Sequence, residues 1–265
     1  MINVILWSKD RAAQLDLTLQ TYKKHFKEWE SQSLNIIYKV SNDQYNDGYN
    51  MVKLLHPEFN FVKETNFRTN TLDMIFSSKK EYTAFLVDDD VFIDDFTLES
   101  KEFKEFDDNP LIATISPRMG RNINYCYTEN RPAKQPSINE KNMWKWRENC
   151  SGDWSYPFSV AAFHIFRKND LNPLPNIPFR ATNTFEAAMC NIPFSARDWM
   201  ICFDSPKTFT GANNRVQIEN LNRNENCDSI DQLNNVFLSG KRLDVNANYK
   251  LNSNACHGKV NYIWN

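Results

Sequence analysis

Asp88, Asp89, Asp90, Asp94 and Asp95 place five carboxylates within eight residues. Like charges this close repel, and three things relieve them: protonation, splaying into water, or a divalent cation that gathers them. Asp94 and Asp95 precede a helical pattern at Phe96 to Phe106 and read as helix-start carboxylates that meet free backbone N–H groups. Asp88 to Asp90 differ, because the short apolar run Tyr82-Thr83-Ala84-Phe85-Leu86-Val87 leads straight into them. Hard oxygen ligands favour Mg²⁺ or Mn²⁺ over zinc and leave coordination positions for water and substrate phosphates.

The elements that position this triplet follow from hydrophobic periodicity. Ile2 to Trp7 is a continuous apolar run, and after the polar Ser8-Lys9-Asp10-Arg11 the residues Leu15, Leu19, Tyr22 and Phe26 fall at helical intervals. The same alternation predicts strands at Ile36 to Val40, Phe59 to Val62, Tyr82 to Val87 and Leu111 to Ile115. Helices are predicted over Tyr45 to Leu55, near Thr69 to Ser77 and around Asn183 to Cys190, and Ser159 to Phe166 reads as a strand. Alternating strands and helices imply an α/β fold with a mostly parallel sheet covered on both faces. Ligands of such sheets bind beyond the carboxyl ends of the strands, so the loops after Trp7, Val40 and Val87 share one rim. Residues 117 to 158, rich in Asn, Arg, Pro and aromatics, read as a long functional loop.

Composition narrows the classes. Hydrophobic residues make up 41% and charged residues 24% of the 265 residues, which excludes collagenous and largely disordered chains. The formal charge of −2 provides no global basic field for nucleic acid or anionic lipid. The amino terminus has no signal-peptide pattern and no apolar stretch is long enough to span a membrane, which implies a cytoplasmic protein without a transmembrane segment. Six scattered cysteines with no Cys-x-x-Cys pair indicate neither zinc knuckle nor redox motif, only buried or idle thiols.

The opening Leu6-Trp7-Ser8-Lys9-Asp10-Arg11 with its Leu-rich helix, together with Phe85-Leu86-Val87-Asp88-Asp89-Asp90-Val91-Phe92, resembles the nucleotide-sugar glycosyltransferases of the GT-A fold, family 2-like. The likeness covers residues 1 to about 100 and thins beyond. It implies a single domain over 1–265, with a donor-binding half (1–115) and an irregular acceptor-binding half with C-terminal extension (116–265). By this resemblance Asp88 and Asp90 form an Asp-x-Asp element that holds Mn²⁺ or Mg²⁺ on the donor diphosphate, and Asp89 lies against the donor. Ser8, Asp10 and Arg11 contact the nucleoside, while Asp43 matches the acidic position that recognises base or ribose. Arg68, after the third strand, offers a second cation to the donor.

In the second half the resemblance implies that Glu186, in Asn183-Thr184-Phe185-Glu186, is the general base near the acceptor, and that the late His257 is an additional metal ligand. It offers no Glu-Asp pair here, only Glu186. Isolated His164 lies inside an apolar run and reads as packed. Among the clustered tryptophans, Trp154 is the one expected to stack on an acceptor sugar, since an indole offers a flat apolar face. Asn214-Arg215-Val216-Gln217 stands out as a motif without an assigned role.

The implied activity is metal-dependent transfer of a sugar from a nucleoside diphosphate sugar, a UDP-sugar by family habit, to a hydroxyl acceptor such as a glycan, with inversion. Two other readings stay open: a nucleotidyltransferase, which expects a glycine-rich phosphate loop after the first strand where this chain has none, and an inactive glycan-binding module.

Overall fold

A computed structural model describes residues 1–190, 197–217 and 223–265. The first strand, β1 (Ile2–Lys9), is buried along nearly its whole length, as its unbroken apolar run requires of a strand covered on both faces. It feeds α1 (Ala12–His25), and the alternation continues through β2 (Ser33–Lys39), α2 (Asp43–Leu55), β3 (Asn60–Lys63), α3 (Phe67–Ser77) and β4 (Tyr82–Val87). These four strands are parallel, in the order β3-β2-β1-β4. Asn42 and Asn66 cap α2 and α3 by accepting from the amides of Tyr45 and Thr69, both at 2.9 Å.

After β4 the chain makes a two-residue turn and enters β5 (Asp90–Phe92), then α4 (Lys101–Asp108), β6 (Ile112–Gly120), β7 (Tyr125–Cys126), β8 (Arg131–Pro132) and β9 (Met143–Lys145). The remainder contains β10 (Ile165–Arg167), α5 (Thr182–Cys190), β11 (Trp199–Phe203), β12 (Thr208–Gly211), α6 (Ile230–Leu238) and β13 (His257–Gly258). The main sheet continues past β4 as β10-β6-β11-β9, with β10 antiparallel to both of its neighbours and β11 parallel to β6. A second sheet, β13-β12-β5, carries the acidic triplet's last residue. The point between residues 115 and 116, expected to divide two halves, lies inside β6.

Three expectations change. The helix predicted from Phe96 begins only at Lys101, where Ser100 accepts from the amide of Phe103. Asp94 therefore caps no helix; it binds Lys207 and Lys250, each at 2.6 Å, while Asp95 faces His25 at 3.0 Å. The run Ser159 to Phe166 is strand only from Ile165, because Ala162 and Phe163 both adopt left-handed backbone, with φ of 57° and 65°. The loop over 117–158 is pinned by β7, β8, β9 and the interlocked Trp144 and Trp154.

All six cysteines are free thiols. Among the described residues no helix is long and apolar enough to cross a membrane.

Candidate active site

The carboxyl ends of β1 and β4 lie side by side, with Trp7 paired to Val87, so the loops that follow must meet. They meet at Arg11. Its Nη1 donates to Asp88 Oδ1 at 3.1 Å and to Asp89 Oδ2 at 2.6 Å, and its Nη2 donates to the carbonyl of Asn214 at 2.6 Å. Asp88 Oδ2 also accepts from the Ser8 hydroxyl at 2.8 Å and from the amide of Lys9 at 2.9 Å. Burial, the larger effect, pushes the Asp88 carboxyl upward, against the pull of Arg11.

A cleft of about 800 Å³ opens over this pair. Ser8, Arg11, Asp88 and Asp89 line one side and Glu186, from α5, lines another. Glu186 Oε1 accepts from the amide of Val160 at 3.0 Å, and burial raises its carboxyl above the usual range. The unassigned Asn214-Arg215-Val216-Gln217 also lines the cleft.

Several expected site residues lie elsewhere. Asp90 is fully buried and starts β5, opposite Thr210 of β12. Its Oδ1 accepts from the Thr210 hydroxyl at 2.6 Å, and its Oδ2 from the amides of Val87 and Ala162 at 2.8 and 2.7 Å. Burial, then Asp89, pushes Asp90 up to about 8. The adjacent pair Asp88-Asp89 faces the cleft, and the alternate pair does not, because the turn lies at 88–89 and Asp90 is already in a strand. Asp90 does not line the cleft; its carboxyl ties β4, β12 and the bend before β10 together beneath it.

Asp10, at φ 57°, turns away from the cleft and accepts from the amide and hydroxyl of Ser41 at 2.7 and 2.6 Å, tying the loop after β1 to the loop after β2. Asp43 sits exposed in the first turn of α2, outside the cleft lining. Arg68 donates to the carbonyl of Pro175 at 2.5 Å and lies 5.6 Å from the Phe179 ring centroid, bracing α3 outside the cleft lining. Trp154 has no exposed surface; its indole donates to the carbonyl of Ile123 at 3.1 Å, and it packs edge-on against Trp144. Its interior position removes it from acceptor stacking. His164 is buried as expected and contacts the Ser116 hydroxyl at 2.8 Å.

His257 lines the cleft, but beside Arg118 and Asp153. Its Nε2 accepts from Arg118 Nη1 at 3.3 Å, and its Nδ1 is 3.8 Å from Asp153 Oδ1. Burial pushes its imidazole down to about 4. Among the described residues no group of three or more His, Cys, Asp or Glu side chains is gathered for a metal ion. The three-ligand set of Asp88, Asp90 and His257 therefore does not fit a cation. Of the triplet, Asp88 and Asp89 line the cleft, and they would hold Mg²⁺ or Mn²⁺ there with substrate phosphates and water completing the shell.

Sequence reasoning passed over Arg118 and Asp153, which form a buried ion pair at 3.0 Å. An arginine near the end of the otherwise buried β6 was the available signal.

No family profile matches this chain. It is similar to the bifunctional glycosyltransferase pgtA of Dictyostelium discoideum, 31% identical over 194 residues, which is 66% of this chain and 25% of that protein. The chain thus spans about a quarter of the curated relative it matches. Among solved structures, residues 1–349 of S. aureus TarS in complex with UDP-GlcNAc align with a TM-score of 0.51 and 11% identity, over 82% of this chain and 59% of that one. The UDP complex of the same protein gives 0.51 and 12%, over 79% and 60%. This is the GT-A fold. In GT-A terms the sheet edge at β1 and β4 is where Arg11, Asp88 and Asp89 converge, and α5 brings Glu186 to the same cleft.

Proposed function

We propose that this chain is a glycosyltransferase that moves a sugar from a nucleoside diphosphate sugar, a UDP-sugar, to a hydroxyl of a glycan acceptor with inversion. The observation that carries the reading is Arg11 joined to both Asp88 and Asp89 at the convergent ends of β1 and β4, in one cleft with Glu186. The name of the Dictyostelium relative and the UDP-GlcNAc in the TarS complex support it.

In this reading Ser8 and Arg11 fix the Asp88 carboxylate for the ribose and diphosphate end of the donor, with Asp89 beside it. Asp88 and Asp89 would hold a divalent cation there, which would supply Lewis-acid neutralisation of the leaving group. Glu186 takes the proton of the acceptor hydroxyl as that oxygen attacks the anomeric carbon, and direct displacement inverts the centre. The raised pKa of Glu186 suits a base that must accept a proton near neutral pH.

A nucleotidyltransferase would cradle phosphates on a glycine-rich loop, and the loop Ser8-Lys9-Asp10-Arg11 has no glycine. A melting-temperature panel of UDP, GDP and their sugars, with and without Mn²⁺, tests the donor class. UDP release on addition of glycan acceptors tests the transfer. A response to GDP alone would replace the UDP assignment, and a response to neither would reject the donor reading.

A further inference from the structure

The floor of the cleft holds polar atoms that the protein itself does not satisfy. Arg118 is 2% and Asp153 6% exposed, and both line the cleft with His257. Arg118 Nε, Asp153 Oδ2 and His257 Nδ1 are all buried, and none has a hydrogen-bond partner. Leaving one such atom unpaired costs about 1–3 kcal/mol, so three together in a cleft mark a place a ligand completes.

The fold builds this cluster from three distant segments. Arg118 comes from β6, His257 from β13 and Asp153 from the short helical turn Gly152–Ser155. Gly152 permits the last of these: its φ is +63°, and a Cβ there would stand 2.8 Å from the Cβ of Cys126. The β12–β13 pairing sets His257 opposite Thr210, the residue that binds Asp90, while Gly211 donates to the carbonyl of Asp89 at 2.8 Å. The cluster therefore adjoins the carboxylate edge where the diphosphate end of a donor would lie.

The unmet valences define the ligand chemistry. An arginine only donates, so His257 Nε2 must accept from Arg118, and the neutral imidazole carries its proton on Nδ1. The cluster then presents two donors, Arg118 Nε–H and His257 Nδ1–H, and one acceptor, Asp153 Oδ2. Hydroxyl groups both donate and accept and match this set. The Arg118–Asp153 pair is net neutral, which leaves no surplus positive charge for an acidic sugar.

We propose that Arg118, Asp153 and His257 form a clamp for neighbouring hydroxyls of the transferred neutral sugar. Asp153 here is a positioning and specificity residue: Arg118 holds its Oδ1 at 3.0 Å and leaves Oδ2 for the sugar. The inference rests on the donor reading above, and its test separates the two.

The test is calorimetric titration of the full chain, with Mn²⁺, against UDP, GDP, UDP-glucose, UDP-galactose, UDP-N-acetylglucosamine, UDP-glucuronate and GDP-mannose. At least one neutral-sugar nucleotide should bind about tenfold more tightly than its free nucleotide, as one or two net hydrogen bonds would provide. In Asp153→Asn and, as the milder variant, His257→Gln, that advantage should shrink to about twofold while free-nucleotide affinity stays within about threefold. Retained nucleotide binding shows that the variants fold. If the wild type binds neither UDP nor GDP, the donor reading falls and the clamp with it. If it binds nucleotide but gains nothing from a neutral sugar, prefers UDP-glucuronate, or keeps the full sugar advantage in His257→Gln, the clamp alone is overturned.

Discussion

Asp90 accepts a hydrogen bond at 2.7 Å from the amide of Ala162, a residue 72 positions away whose backbone is left-handed. The same oxygen binds the amide of Val87, and the other binds Thr210. One carboxylate thus locks the end of β4, the bend before β10 and strand β12 into a single arrangement beneath the cleft.

Replacing Asp90 should therefore act on stability first. Asp90→Ala leaves two buried amides and a hydroxyl unpaired, each worth about 1–3 kcal/mol. A loss of several kcal/mol in urea denaturation is the expected outcome. A variant as stable as the wild type, with only metal affinity reduced, would return Asp90 to the ligand role.

Arg11→Met should be severe for a different reason. It keeps much of the side-chain volume but strips the partner from Asp88 and Asp89, and removing one member of a buried ion pair typically costs about 3–5 kcal/mol. Nucleotide affinity should fall with stability. Full nucleotide affinity in a folded Arg11→Met protein would break the link between this pair and the donor.

Glu186→Gln should preserve donor binding while kcat falls by roughly 10²–10⁴, the usual contribution of a general base. The wild-type rate should rise with pH through a group above the ordinary glutamate range, because burial raises the Glu186 carboxyl. The variant should lose that acid limb. NMR of the product anomer completes the check: retention of configuration would exclude the direct displacement assigned to Glu186.

Two histidines should cost stability as pH falls, while the buried carboxyls of Asp90, Asp88 and Glu186, all raised, act in the opposite direction. His257 is held at about 4 and His164 well below its ordinary 6.5, in both cases by burial first. Below pH 6.5 the unfolded chain takes up protons that the folded chain refuses, so their stabilising contribution is full above that pH and is lost as pH falls toward the folded values. Between pH 6.5 and 5.5 His257 should remove about 1 kcal/mol, and His164 acts in the same direction. From pH 6.5 to 5.5 the denaturant midpoint of His257→Gln should fall less, or rise more, than that of the wild type; an identical pH dependence would place the titration elsewhere.

The first half was legible because its signals are local. β1 and β4 are unbroken apolar runs, and each ends at the polar loop that enters the cleft, so Ser8, Arg11, Asp88 and Asp89 could be placed from periodicity and loop convergence. What failed depends on distant partners. Nothing near Asp90 announces Thr210, and nothing near Trp154 says that Trp144 and Ile123 close over it. Ser159 to Phe166 has a strand's composition, but two consecutive left-handed residues are fixed by Asp90, Phe85 and Thr208 rather than by their own sequence. Arg118 and Asp153 were missed for the same reason: an ion pair across 35 positions leaves no spacing to read.

The position of β6 bears on how such a chain can diversify. Ile112–Gly120 hydrogen-bonds on one side to β10 and on the other to β11, and it delivers Arg118 to the cleft. The strands of the two halves are interleaved in one sheet, so a graft made at their nominal border would sever a central strand and strand its neighbours. The two halves cannot then be exchanged as cassettes. Change has to come residue by residue along the cleft wall, and chimaeras joined within 112–120 should fail to accumulate as soluble protein where joins in exposed turns succeed.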